Sequence, residues 1–478
     1  MGKSAQIDEA LGRLSTRDAL ALARSVELSR AKGQATLPTD LVLDGLRPTL
    51  RKAKAPRVPD LRRLVVRAFE PFLTDRDDDP RVPGILPRAS IAPWWRALER
   101  CAGKELAAFA ERLAALTHAG SRSAHEALGC EAREAAAEWT RGLVAELAKP
   151  KPDPALRQLM SRPALIADVS VMAALLAMAE PLDAALSAID KIQAAYGKLE
   201  GRRIVEFMPD AVTAAKQNYV ALSESHGMDA RYLALAILNR LDQPWHILRL
   251  GRALSWKPDE SMLRDTEFGV VGERLVSDLQ RSARDAAALA ARRGDAPDID
   301  RLAAALAAYM RDAEGLLGEF NFRRGSAWGD RILDTRAMLA AAFSNDWLGR
   351  VAGETVLDRI LPLQRRGTQP RGLSPEPDLR TPASDVVASA VEAARFIAKL
   401  AQRGSRHGLG HTRDAVEALG EEIERRAAPL LELLREAPDN APVLAQLEAA
   451  SQALAVLFED GRGDILSRRI RIAGQVAV

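Results

Sequence analysis

Apolar residues recur along this chain at helical spacing, in stripes long enough to count. From Phe268 the sequence steps through Val271, Leu275, Leu279, Ser282 and Ala286 at intervals of 3, 4, 4, 3 and 4, the period that turns one face of an α-helix toward a core. The preceding "RDTEFG" offers Asp265 or Thr266 to cap the free backbone donors, and the stripe predicts a helix to about Ala291. After "RRGDAPD" the same rhythm returns at Leu302, Leu306, Tyr309, Ala313, Leu316 and Phe320. Two stripes joined by a short loop predict an antiparallel hairpin. A third long helix is expected from Trp328 to Leu361, with Ile332, Leu339, Phe343 and Trp347 facing inward.

The C-terminal third repeats the pattern. Val387, Val391, Ala394 and Ala398 mark one helix, Val416, Leu419, Ile423, Ala427, Leu430 and Leu434 a second, and Leu444, Leu447, Ser451, Leu454 and Phe458 a third. These predict a three-helix bundle. The tail "SRRIRIAGQVAV" changes rhythm: Ile470 and Ile472, then Val476 and Val478, alternate about Gly474. That alternation predicts a short C-terminal β element.

Prolines punctuate these blocks. Those at 38, 48, 56, 59, 71, 80, 83, 87 and 93 leave room for only short helices, because each removes a backbone donor and restricts its neighbour. Further breaks at "AKPKPDPALRQ" and "RRGTQPRGLSPEPDLRTPAS" complete the division. The expected organisation is an N-terminal, Pro-rich basic connector (1–92), a helical hairpin (93–148), a central helical domain (154–364), a linker (365–384) and a C-terminal bundle with its tail (385–478). No fixed repeat of a named solenoid class is present.

Composition agrees with the pattern. Apolar residues reach 47% but aromatics only 4%, so the apolar content is Ala and Leu, which favour helix, rather than the aromatic and β-branched residues that favour strand. The expected fold class is all-α: multi-helix bundle blocks, antiparallel hairpins and Pro-rich connectors. The most apolar window, Ala164 to Leu186, is interrupted by Asp168, Glu180, Pro181 and Asp183, so a buried helix rather than a membrane span is expected. The acidic start lacks the order of a secretory signal. Cys101 and Cys130, the only cysteines, are too few for a disulfide framework or a structural zinc site. A cytoplasmic protein is expected, with no metal and no cofactor.

The pair in "SIAPWWRALERC" stands out in so aromatic-poor a chain. Pro93 suits the first turn of a helix, with Ser90 as its cap. Trp95 opens a stripe through Leu98, Ala102, Leu106, Phe109, Leu113 and Leu116 and belongs to the core. Trp94 falls at the edge of that stripe, either packed under the connector or exposed as a partner-binding residue.

Candidate chemistry is thin. Two His one turn apart around a Glu would signal a zinc protease, but "HEALG" puts Gly129 where the second His belongs. His407 and His411 have helix-ligand spacing, yet Gly404, Gly408 and Gly410 make the segment a loop before the helix at Thr412. With Arg406 that loop is a candidate anion or metal site. The acidic run "TDRDDDP" sits beside Pro80 in a loop, and "ESHGMD" reads as an interhelix turn. Glu131, Glu134 and Glu138 read as a solvated helix face.

Net charge is only +3, so any grip on nucleic acid must be local. The local candidate is the segment from 46 to 67, with Arg47, Arg51, Lys52, Lys54, Arg57, Arg62 and Arg63, which could meet a polyanion. Helix-pairing surface without a catalytic constellation makes a non-catalytic adaptor or scaffold, binding other proteins, the leading expectation. A nucleic-acid-associated protein gripping phosphates through the basic segment is the alternative. An enzyme whose site is assembled from distant residues is a third.

Overall fold

The computed structural model describes residues 14–31, 60–75, 82–119, 122–255, 260–291, 299–364, 376–404 and 409–475, with Leu11, Val42, Leu43, Leu46 and His407. The fold is all-α. Helix α1 (Thr16–Ala31) and Leu11, Val42 and Leu46 form a small apolar cluster of their own. From Leu61 to Ala473 the buried apolar side chains form one continuous core.

The first part of that core is built by α2 (Leu61–Val66), capped by the Asp60 carboxylate at the Arg63 amide, and by the long pair α3 (Ile91–Ala119) and α4 (Arg122–Leu147). Helix α3 bends at Ala102, where φ −134° leaves the helical region. Both tryptophans are inside. Trp94 is fully buried, its ring edge-on to Phe69 at 5.3 Å, and its indole N–H donates to the Thr140 hydroxyl at 3.2 Å. A partner-binding role for Trp94 is therefore corrected: the flank of the stripe is covered by Phe69 from the connector and by Thr140 from α4. Ser90 does not cap α3 but donates to the buried Asp168 carboxylate at 2.6 Å.

A short α5 (Pro154–Leu159) leads into the most apolar stretch, which folds as α6 (Pro163–Ala177) and α7 (Ala179–Ala195) bent by 67°. Among the described residues no single helix is long and apolar enough to cross a membrane. Helices α8 (Pro209–His226), α9 (Arg231–Leu238), α10 (Leu248–Leu254) and α11 (Glu260–Arg264) fill the middle of the chain.

The predicted hairpin is present as α12 (Gly269–Ala290) and α13 (Ile299–Glu319), packed on each other with their counted stripes buried, save half-buried Ser282. The third long helix is not continuous. It divides into α14 (Ala327–Ala342), α15 (Asn345–Val351), a π-helical stretch Ala352–Leu357 and α16 (Asp358–Ile360). Phe343 leaves the helical region and the Ser344 hydroxyl accepts from the Trp347 amide, so a new N-terminus starts there.

The C-terminal helices are α17 (Ser384–Gly404), α18 (Thr412–Glu436), α19 (Ala441–Leu457) and α20 (Arg462–Gln475). In α17 the buried face runs through Ala390, Ala393, Ala394, Ile397 and Leu400, rotated from the expected stripe, with Val387 and Val391 half-buried. The expected β element is overturned at Ile470 and Ile472, which lie in α20, while Val476 and Val478 lie outside the described residues. Leu466, Ile470 and Ala473 bury one helical face against the bundle, and that docking outweighs the local alternation.

Two tiny strand pairs matter for position. β1 (Leu73–Thr74) runs parallel to β2 (Leu86–Pro87), and β3 (Leu199–Glu200) pairs antiparallel with β4 (Arg203–Ile204).

Candidate functional site: an arginine-lined cleft

The loop candidates do not form a site in the described residues. His411 Nε2 lies 2.6 Å from the Phe343 carbonyl, so this ring ties α18 to the end of α14. His407 is buried, with Nε2 3.3 Å from a Glu314 carboxylate oxygen and its ring against Tyr309. Both are consumed in packing rather than turned to a ligand, which corrects the anion or metal reading for these two; Arg406 lies outside the described residues. No cluster of metal-ligating side chains occurs among the described residues. Of the basic segment, Arg47, Arg51, Lys52, Lys54 and Arg57 lie outside the described residues. Arg62 is exposed, and Arg63 pairs with Asp60 at 3.7 Å.

The cations that do converge come from elsewhere. An open cleft of about 770 Å³ is lined by Arg202, Arg203, Arg240, Arg274 and Arg281, drawn from three separate parts of the chain. Each is placed by local structure. Gly201 adopts φ +63° in the two-residue loop between β3 and β4, the left-handed conformation a tight hairpin turn requires, and so projects Arg202 and Arg203. The hairpin is fixed to the segment after α9 by the Ile204 amide donating to the Arg240 carbonyl at 2.7 Å and the Asp242 amide donating to the Ile204 carbonyl at 2.9 Å. Arg274 and Arg281 stand two turns apart on α12.

Four of the five guanidiniums form two tiers. Arg240 and Arg274 are the floor, with side chains only 9% and 13% exposed. Arg240 meets Asp190 at 2.5 Å and donates to the Arg202 carbonyl at 2.7 Å. Arg274 meets Asp278 at 2.5 Å and donates to the Pro83 carbonyl at 3.2 Å, and Arg281 shares Asp278 at 3.2 Å. Arg202 and Arg203 are the rim, 63% and 66% exposed, paired with Glu70 and Asp242. The Arg202–Glu70 pair is exposed on both sides and contributes only about 0–1 kcal/mol, so Arg202 can trade its carboxylate for that of a ligand at little cost, whereas Asp242, the partner of Arg203, is only 21% exposed. The floor guanidiniums are themselves largely buried, so parting them from Asp190 and Asp278 would leave a buried charge unpaired.

Phe72, Leu73 and Leu241 add apolar wall between the charges, and Glu70, Glu200 and Asp278 interleave with the cations. Among the described residues the lining has no Cys, Ser, His, Lys or Tyr. What it offers is planar, forked donors suited to carboxylate or phosphate and hydrophobic contact beside them. Sequence reading missed the site because its arginines span positions 202 to 281 without forming a run; the one local hint is the Gly-Arg-Arg of the hairpin loop.

No family model, curated protein or solved structure matches the chain.

Proposed function

We propose that this protein is a non-catalytic helical adaptor whose arginine-lined cleft receives an acidic segment of a partner protein. The observation that carries the reading is the convergence of five arginines on one open cleft whose rim cations, Arg202 and Arg203, are largely exposed, Arg202 being held by an exposed ion pair. Interleaved Glu70, Glu200 and Asp278 favour a peptide, with spaced carboxylates and apolar side chains, over the unbroken charge of a phosphate backbone. Free Cys101 and Cys130 suit a reducing cytoplasm.

The test is affinity capture from native extract, with and without nuclease, comparing the wild-type chain with R202E/R203E. The expected result is one stoichiometric protein that survives nuclease and is lost from the charge-reversed chain, whose thermal unfolding stays unchanged. Capture that collapses on nuclease treatment would replace this reading with the nucleic-acid one. Capture indifferent to R202E/R203E would remove the cleft from it.

A further inference from the structure

Helix α20 has a second face. Its inner side, Leu466, Ile470 and Ala473, is buried in the bundle, whereas Ile465 and Ile472 on the outer side are 49% and 59% exposed, among the most exposed large apolar residues described. They stand seven residues apart, about 10.5 Å along the axis, with Arg468 and Arg469 between them on the same face and Arg471 at its edge. Arg462 at the start of this helix pairs with Glu417 and Asp460, but among the described residues Arg468, Arg469 and Arg471 have no ion pair.

We infer that the outer face of α20 docks an acidic amphipathic helix of another protein. Two apolar residues at a seven-residue interval are the anchor pattern of one helix laid along another. The three unmatched guanidiniums around them select a partner with carboxylates flanking its apolar seam. A second copy of this chain is disfavoured as occupant, since face-to-face pairing would set arginine against arginine. A bilayer is disfavoured because Arg468 interrupts the apolar strip and the face has no aromatic residue to seat at an interface. This surface uses none of the cleft residues, so the two readings stand or fall separately.

The probe is a synthetic helix with leucines at seven-residue intervals flanked by glutamates, followed by fluorescence anisotropy against the full chain. Its controls carry lysines in place of the glutamates, or the same residues with the leucine spacing shifted. The glutamate helix is expected to bind and both controls to fail. I465S/I472S is expected to weaken binding about tenfold, and R468E/R471E to invert the preference toward the lysine helix, with unfolding curves unchanged because all four side chains are exposed. Failure of the glutamate helix to bind overturns the inference, as does equal binding of the shifted helix. So do two other outcomes: self-association of the chain that I465S/I472S abolishes, or binding to phosphatidylserine-containing vesicles that R468E/R471E abolishes while the peptide is ignored.

Discussion

The indole N–H of Trp328 donates to a Glu273 carboxylate oxygen at 2.7 Å, and the residue before Glu273 is the glycine on which the Trp328 ring rests. The contact joins α14 to α12, and Arg331 closes on the other Glu273 oxygen at 2.5 Å. Burial pushes the Glu273 carboxyl up, but the Trp328 and Arg331 hydrogen bonds outweigh it and hold the group below the usual carboxylate range. The Trp328 backbone amide is itself held by Glu260 at 2.6 Å, so the ring has little freedom to retreat.

Gly272→Ala is therefore expected to destabilise the fold, although alanine is the better helix former by about 1 kcal/mol. A Cβ at Gly272 would meet the Trp328 ring at 2.1 Å, and overpacking a core costs about 1–3 kcal/mol. Gly142 in α4, where a Cβ meets nothing within 4 Å, is the control: Gly142→Ala is expected to stabilise by about 0.4–1 kcal/mol. Urea unfolding midpoints decide the matter, and shifts of the same sign in both variants would contradict the packing argument.

Thr140→Val should cost about 1–3 kcal/mol, since valine keeps the shape of threonine but leaves the buried Trp94 N–H without its acceptor. Thr140 can accept because its own proton goes to the Ala136 carbonyl at 2.6 Å. Thr140→Ser should recover most of the loss. Chemical denaturation followed by tryptophan fluorescence reads both, and a valine variant as stable as wild type would mean that the indole finds another acceptor.

His246 gives the fold an acid-side weakness. Burial first, and Arg249 next, lower its pKa, against smaller opposing pulls from Glu319 and Glu206. The unfolded chain, with an ordinary value near ~6.5, then binds the proton more readily than the native state does. Stability is fully present above that value and declines as pH falls below it. Comparing urea midpoints at about pH 7.5 and 5.5, a window set on either side of the ordinary value, wild type should lose more than His246→Gln. Equal losses would show that His246 does not set this slope.

Much of the fold was legible in the chain. The stripes from Phe268 and Leu302, and those of α18 and α19, placed helices and their buried sides, because a 3.6-residue period is a property of consecutive residues. The all-α class followed from composition for the same local reason. Where a local signal competed with a tertiary one, it failed: Ile470 and Ile472 alternate like a strand but are helical, because Leu466, Ile470 and Ala473 lie buried on one face of a helix docked on the bundle. Trp94 sits off the α3 stripe yet is the more deeply buried of the pair, because Phe69 and Thr140 reach it from other elements.

The cleft was legible only as the Gly-Arg-Arg of its hairpin loop. Arg240 and Arg274 are ordinary surface-type residues in a chain with 68 basic side chains, and nothing in their neighbours marks them. Only the hydrogen bonding of the Gly201 hairpin to the segment after α9, together with the packing of α9 on α12, brings their guanidiniums to one place. The local sequence, through periodicity and turn chemistry, determined what each segment becomes. Tertiary structure decided which charges meet, because ion pairs and open faces depend on distances between residues that the chain keeps far apart.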